Sequence, residues 1–193
     1  EASAVKRARL GAVLAAAGHG AAVLTLPDSL SWLLNLRGAD IARTPSVHCL
    51  GILHADGSVD LFVAPAKISA EVAAHLGPDV RLAPPGDFAA ALARLTGRVR
   101  VDPATAPHAV GQILKAAGVA VASAPDPCLL PKACKNPAEV AGMVAAHLRD
   151  GAAMVEFLAW LDGELPKGTL TEIAAVTALE RFRRATNALR DIS

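Results

Sequence analysis

Apolar positions fall into short blocks along the first two-thirds of the chain, and the period changes from block to block. Residues 4–17 read as a helix closed by Gly18, which suits the left-handed conformation that ends helices. "AAVLTL" (21–26) reads as a strand. Pro27 and Asp28 suit the opening turn of a short helix over "PDSLSWLLN" that packs Trp32 and Leu33, and "NLRG" then turns the chain. "VHCLGILHA" (47–55) is apolar on both alternating faces, as expected of a central strand buried on both sides. Asp56-Gly57 signals a two-residue hairpin into "SVDLFVA" (58–64), so this pair is predicted to be antiparallel. A helix near 68–76, a strand at 80–84, a helix at 87–95, a strand at 99–102, a helix at 106–118 and a strand at 119–124 complete the alternation. The fold class predicted is α/β: a mixed β-sheet flanked by helices.

The pattern then breaks. "APDPCLLPKACKNP" holds Pro125, Pro127, Pro131 and Pro137. Proline disfavours helix before it and cannot donate to a sheet, so this stretch reads as a linker. Beyond it the apolar spacing is helical only. Asn136 is a good N-cap, Pro137 takes the first helical position, and Glu139 completes a capping-box pattern. That helix is expected to run to about Leu165, where Pro166 and Gly168 stop it. Thr169-Leu170-Thr171-Glu172 repeats the box for a second helix reaching about Leu189. Two domains are therefore expected, 1–131 and 132–193. Two helices alone cannot bury their apolar faces. They need the first domain, a second copy of the chain, or a sheet outside it.

Composition narrows the class. Of the 193 residues 53% are hydrophobic, much of that alanine, and 19 basic residues balance 18 acidic ones. With no Tyr, four Phe and two Trp, the chain lacks the basic patch with interleaved aromatics that a nucleic-acid partner wants. From Leu10 to Pro27 there is no Asp, Glu, Lys or Arg, and basic residues precede the run, as in a signal peptide. Gly18-His19-Gly20 interrupts it and no clear cleavage pattern follows, so helix–turn–strand is the better account. The run is also too broken to span a membrane. The chain opens on Glu1, which reads as a cut, processed or tagged start. Cys49, Cys128 and Cys134 are odd in number and lack zinc-knuckle spacing. Three reduced thiols imply a cytoplasmic protein.

Candidate chemistry is sparse. His147 and Asp150 are three apart on a helix and share a face, yet no third metal ligand has matching spacing. His48 and His54 fall on one face of the expected central strand but about 20 Å apart, too far to share an ion. No HExxH, GxSxG or phosphate-cradling glycine loop with Lys occurs. Ser29 and Ser31 read as turn chemistry. Arg37 in "NLRGAD" is sharper. An Arg beside a Gly in a turn can be held in a fixed pose and clamp a carboxylate, although Asp40 could serve as its structural partner.

At "WLLNLRGADIARTP" and "PKACKNPAEVAGMVAAHLRDGAAMVEFLAWLDGELPKGTLTEI" the sequence resembles the Xaa-Pro aminopeptidases, in their longer, three-domain form. Trp32, Asn35, Leu36, Arg37, Gly38 and Asp40 match the first element. Lys135, Asn136, Glu139, His147, Arg149, Asp150, Gly151, Phe157, Leu158, Trp160, Pro166, Gly168, Thr171 and Glu172 match the second. The resemblance implies a creatinase-N-type middle domain followed by the first two helices of a pita-bread domain. It implies an enzyme that removes an N-terminal residue preceding proline, with two divalent metals, manganese, held by two Asp, one His and two Glu. A metal-bridging water is then the nucleophile. None of those five ligands maps here; in the family they follow the point where this chain ends. The resemblance therefore implies a non-catalytic region that helps form a homodimer and narrows access to the active site, with the Arg37 turn facing the cleft and contacting substrate. Within the family, a prolidase or a creatinase is the runner-up reading, but "FLAWL" and "NLRG" favour the aminopeptidases. The competing readings are an inactive peptide- or protein-binding module, as pita-bread-like domains are in some histone chaperones, and an unrelated small-molecule-binding α/β domain with its site where strand order reverses.

Overall fold

A computed structural model describes residues 1–42 and 44–186. The chain divides into two compact units, Glu1–Cys134 and Lys135–Ser193.

The first unit is a three-layer α/β sandwich. Helix α1 (Ser3–Ala16) leads into strand β1 (Ala21–Leu24) and helix α2 (Pro27–Leu34). Strands β2 (Leu50–His54) and β3 (Val59–Phe62) form a hairpin, followed by α3 (Ala70–Leu76), β4 (Val80–Ala83), α4 (Phe88–Ala93), β5 (Arg98–Val101), α5 (His108–Ala116) and β6 (Ala120–Ser123). The sheet order is β4-β3-β2-β1-β5-β6. β1–β2 and β2–β3 are antiparallel, whereas β3–β4, β1–β5 and β5–β6 are parallel, so the sheet is mixed as expected.

Side chains alternate across a strand, and β1 divides its own between two cores. Ala22 and Leu24 join Leu10, Leu14, Leu30, Leu33 and Leu34 from α1 and α2, with Leu53 and Leu61 from the sheet. Ala21 and Val23 join Phe88, Leu92, Val110 and Leu114 from α4 and α5, with Ile52 and Val99. Phe62 and Phe88 meet edge-on, their centroids 5.1 Å apart. Helix α1 lies close to the hairpin turn. A Cβ on Gly11 would fall 2.8 Å from both the Ala55 carbonyl oxygen and the Gly57 nitrogen, so only glycine fits that contact. Arg7, also buried, donates to the Gly57 carbonyl at 2.8 Å.

Several local expectations are corrected. The hairpin loop has three residues, because His54 N–H bonds the Ser58 carbonyl and Leu53 pairs with Val59. Gly57 takes φ 84°, the left-handed residue of such a loop. Strand β2 starts at Leu50, so His48 lies before it and does not share its face with His54. Residues 47 and 48 are instead tied to α2 and to the loop after it: Val47 N–H donates to Ser31 Oγ at 3.4 Å and His48 N–H to Asp40 Oδ2 at 2.7 Å. Ser29 and Ser31 are buried within α2 rather than in a turn. The proline-rich stretch contains a short helix, α6 (Leu129–Ala133). Pro131 is tolerated because its position in the first turn has no intrahelical N–H bond to lose.

The second unit is a helical pair. Helix α7 (Pro137–Glu164) begins with the expected capping box: Asn136 Oδ1 accepts from Glu139 N–H at 2.9 Å, and Glu139 Oε2 accepts from Asn136 N–H at 2.8 Å. Helix α8 (Glu172–Ala185) is capped by Thr171, whose Oγ1 accepts from Ala174 N–H, so the cap lies two residues later than the Thr169 box implied. The expected extension of this helix to Leu189 falls outside the described residues.

Candidate functional site

Helix α2 ends at Asn35, which adopts φ 54° and ψ 41°, a left-handed cap that turns the chain toward Arg37. This conformation costs most residues energy; Asn tolerates it best after Gly. Lys6, only 3% exposed, stabilises the turn from α1. Its ammonium donates to the Trp32 carbonyl and to Asn35 Oδ1 at 2.6 Å, and sits 4.5 Å from the Trp32 ring centroid. A buried ammonium needs such partners, since desolvation without them is costly. Asn35 Nδ2 in turn donates to the Glu1 carbonyl at 3.0 Å. Gly38 passes close to the segment that leads into β2: a Cβ there would lie 2.6 Å from Val47 Cγ2 and 3.2 Å from the Ser46 carbonyl oxygen.

Arg37 is exposed on this braced turn, and its Nη1 donates to the Leu36 carbonyl at 2.8 Å. Asp40 is not its partner. The Asp40 carboxylate accepts from Lys67 Nζ at 2.7 Å and from His48 N–H at 2.7 Å. The Lys67 hydrogen bond, then that of His48, hold its carboxyl below the ordinary value of 3.8. Among the described residues no carboxylate pairs with Arg37. Arg37, Gly38, Asp40 and Lys67 line one cavity together with Cys49. Burial pushes the Cys49 thiol up to about 11, so it is a neutral, inert group.

The other candidates stand apart. His54 Nε2 lies 2.7 Å from Asp60 Oδ2, and Asp60 Oδ1 accepts from Arg81 Nε at 2.5 Å, giving a polar ladder across β2, β3 and β4. His147 Nδ1 lies 2.8 Å from the Met143 carbonyl within its own helix, while Asp150 takes a two-pronged bond from Arg183 at 2.7 and 3.1 Å. The two therefore serve separate local contacts. Among the described residues no three His, Cys, Asp or Glu side chains converge as metal ligands, so the donor set here does not fit a two-metal centre. Cys49, Cys128 and Cys134 are free thiols. No helix among the described residues is long and apolar enough to cross a membrane.

Sequence reasoning missed Lys6 and Lys67. Lys6 sits among Arg7 and Arg9 and reads as one more solvated base on an amphipathic helix. Lys67 is 27 residues from Asp40 in the chain, and no periodicity links the two.

The mixed sheet with its flanking helices is the fold of creatinase/prolidase N-terminal domains. The sequence profile of the Creatinase/Prolidase N-terminal domain matches residues 1–139, and the chain belongs to that family. Its relatives include a protein of Aspergillus niger named "Probable Xaa-Pro aminopeptidase P", 36% identical over 173 residues, which span 83% of this chain and 28% of that protein. The protein of the same name from Neosartorya fischeri is 37% identical over 172 residues, spanning 83% of this chain and 26% of that one. The chain thus spans little more than a quarter of the length of these relatives. It is similar in structure to the X-prolyl aminopeptidase of Caenorhabditis elegans, described as a cytosolic enzyme with a di-nuclear active site. The TM-score is 0.85 at 30% identity, covering 95% of this chain and 31% of that one. The Xaa-Pro dipeptidase of Bacillus anthracis shares the fold, with a TM-score of 0.62 at 14% identity over 95% of this chain and 49% of that one.

Proposed function

We propose that this chain is the non-catalytic region of a metal-dependent Xaa-Pro aminopeptidase, preceding the part that performs the chemistry. The observation that carries the reading is the likeness to an X-prolyl aminopeptidase across 95% of the chain, through both units. In this reading residues 1–131 are the creatinase-N-type domain and 132–193 begin the pita-bread domain. The substrates of the parent enzyme are peptides with proline at the second position. Its two divalent metals, manganese in this reading, are held by residues of the parent outside this chain. The chain's own tasks are to support a homodimer and to shape access to the active site, with Arg37 contacting substrate. The parent acts in the cytoplasm.

The test compares two proteins, the 193-residue chain and its full-length parent, supplied with manganese and an Xaa-Pro peptide. The parent is expected to release the N-terminal residue, and the chain to release none. Release by the chain alone would sink the reading, as would a loaded parent that leaves the peptide intact.

A further inference from the structure

The cavity under the Arg37 turn has properties that the aminopeptidase reading does not use. Its volume is about 210 Å³. Val47, Leu61, Val63, Ile68 and Val72 make its wall aliphatic, with the neutral Cys49 thiol beside them. Among the described residues its charged groups are three: Arg37, Asp40 and Lys67. Asp40 and Lys67 cancel as an ion pair at 2.7 Å. One positive charge is left over, on Arg37.

Size decides what fits. An apolar cavity of about 150 Å³ takes a benzene molecule, whereas sites for drug-sized ligands and cofactors run to about 300–1,000 Å³. This cavity therefore suits a single aliphatic side chain and is too small for a nucleotide or a flavin. Charge decides the rest. Guanidinium carries five N–H donors. Among the described residues only Nη1 is engaged, in a bond to the Leu36 carbonyl at 2.8 Å. The remaining donors suit a carboxylate, which they can grip at both oxygens. The turn is braced before any ligand arrives, by Lys6 on Asn35 and by the close pass of Gly38 over Val47, so little ordering cost opposes binding.

We propose that the cavity and Arg37 form a binding site for a carboxylate borne on a small aliphatic body, the chemistry of a C-terminal Leu or Val residue. The side chain enters the cavity and the carboxylate meets the guanidinium. Assigning that residue to a substrate peptide rests on the aminopeptidase reading; the site itself does not.

The test is a ¹H–¹⁵N NMR titration of the 193-residue chain with N-acetyl-leucine, with N-acetyl-leucinamide, and with the tripeptide Ala-Pro-Leu. The acid is expected to give saturable shifts at Gly38, Cys49 and Val63. Binding should weaken about ten-fold or more for the amide, and likewise for Arg37→Gln, since each removes the charge-assisted bond. Arg37 is exposed, so this variant should keep the wild-type spectrum elsewhere. Tighter binding of the tripeptide than of the acid identifies the ligand as a peptide terminus; equal binding identifies a free acyl amino acid, and either supports the site. Equal shifts from acid and amide, unweakened binding by Arg37→Gln, shifts clustered elsewhere, or no saturation would overturn it. These results are independent of turnover. Saturable binding beside an inactive parent removes the aminopeptidase reading and keeps the site, whereas an active parent with no binding does the reverse.

Discussion

The two units bury apolar surface in opposite ways. In the first, leucines from two helices and the sheet are fully enclosed: Leu14, Leu24, Leu30, Leu33, Leu34, Leu53 and Leu61 are each 0% exposed. In the second, the buried apolar residues among those described are Ala153 and Ala178, while Val140, Val144, Leu148, Val155 and Leu158 on α7 are 48–71% exposed. Those five recur at helical spacing and form one stripe. Among the described residues, side-chain N-caps close both helices of the second unit but only α3 of the first, so capping does not follow burial. The contrast teaches that a capping box fixes where a helix begins and supplies little of the energy that keeps it folded, which in most proteins comes from tertiary packing. The first unit has that packing within itself. The second offers a surface for it.

The comparison can be broken residue by residue, because each unit carries one tryptophan, Trp32 in the first and Trp160 in the second. Trp160→Phe leaves a reporter on the first unit and Trp32→Phe leaves one on the second. The largest effect is expected from Leu53→Ala. It opens a cavity in a closed core and should cost about 2–5 kcal/mol in urea unfolding followed by Trp32. A loss below about 0.5 kcal/mol would mean this core is not tightly packed. Gly11→Ala comes next, at about 1–3 kcal/mol on the same reporter, because the new methyl group meets backbone that cannot step aside. Asn136→Ala should destabilise the second unit by about 1 kcal/mol, read through Trp160, by removing its cap. Leu148→Ala should change stability by less than about 0.5 kcal/mol, since the side chain is 71% exposed. A larger loss would show that the α7 stripe is covered in solution, and the two units would then resemble each other.

A pH effect sharpens the picture of the first unit. Burial raises the Asp60 carboxyl, but hydrogen bonds from Arg81 and His54 outweigh it and leave the carboxyl below its ordinary 3.8. A carboxyl lowered by folding stabilises the protein above its unfolded value, and that contribution fades as pH falls through the folded one. Thermal unfolding between neutral pH and pH 3 should therefore show a steeper acid loss in wild type than in Asp60→Asn. Equal slopes would mean the ladder across β2, β3 and β4 contributes nothing to acid stability.

Much of the fold was legible in the sequence because the glycines at 18, 57, 77, 97 and 118 punctuate it and all take positive φ. Strand limits were less so. Residues 47–49 have strand-like composition, yet Ser31 and Asp40 capture the backbone of Val47 and His48. Such long-range capture leaves no periodic trace. The site divides the same way. Arg37 stood out because a Gly follows it in a turn. The pairing of Asp40 with Lys67, and of Asn35 in the same turn with Lys6, are contacts that only the folded chain creates.

The strand order carries a consequence for synthesis. The earliest strand, β1, lies in the interior of the sheet, and every later strand adds beside one already made: β2 on β1, β3 on β2, β4 on β3, β5 back on β1, β6 on β5. A chain leaving the ribosome can therefore lay down its sheet in the order of translation, each strand after β1 finding its first neighbour already made. The exception is the free flank of β1, which stays open until Arg98–Val101 has emerged. During that interval the growing protein presents an unpaired edge, the kind of surface that chaperones shield and that misassembles when crowded.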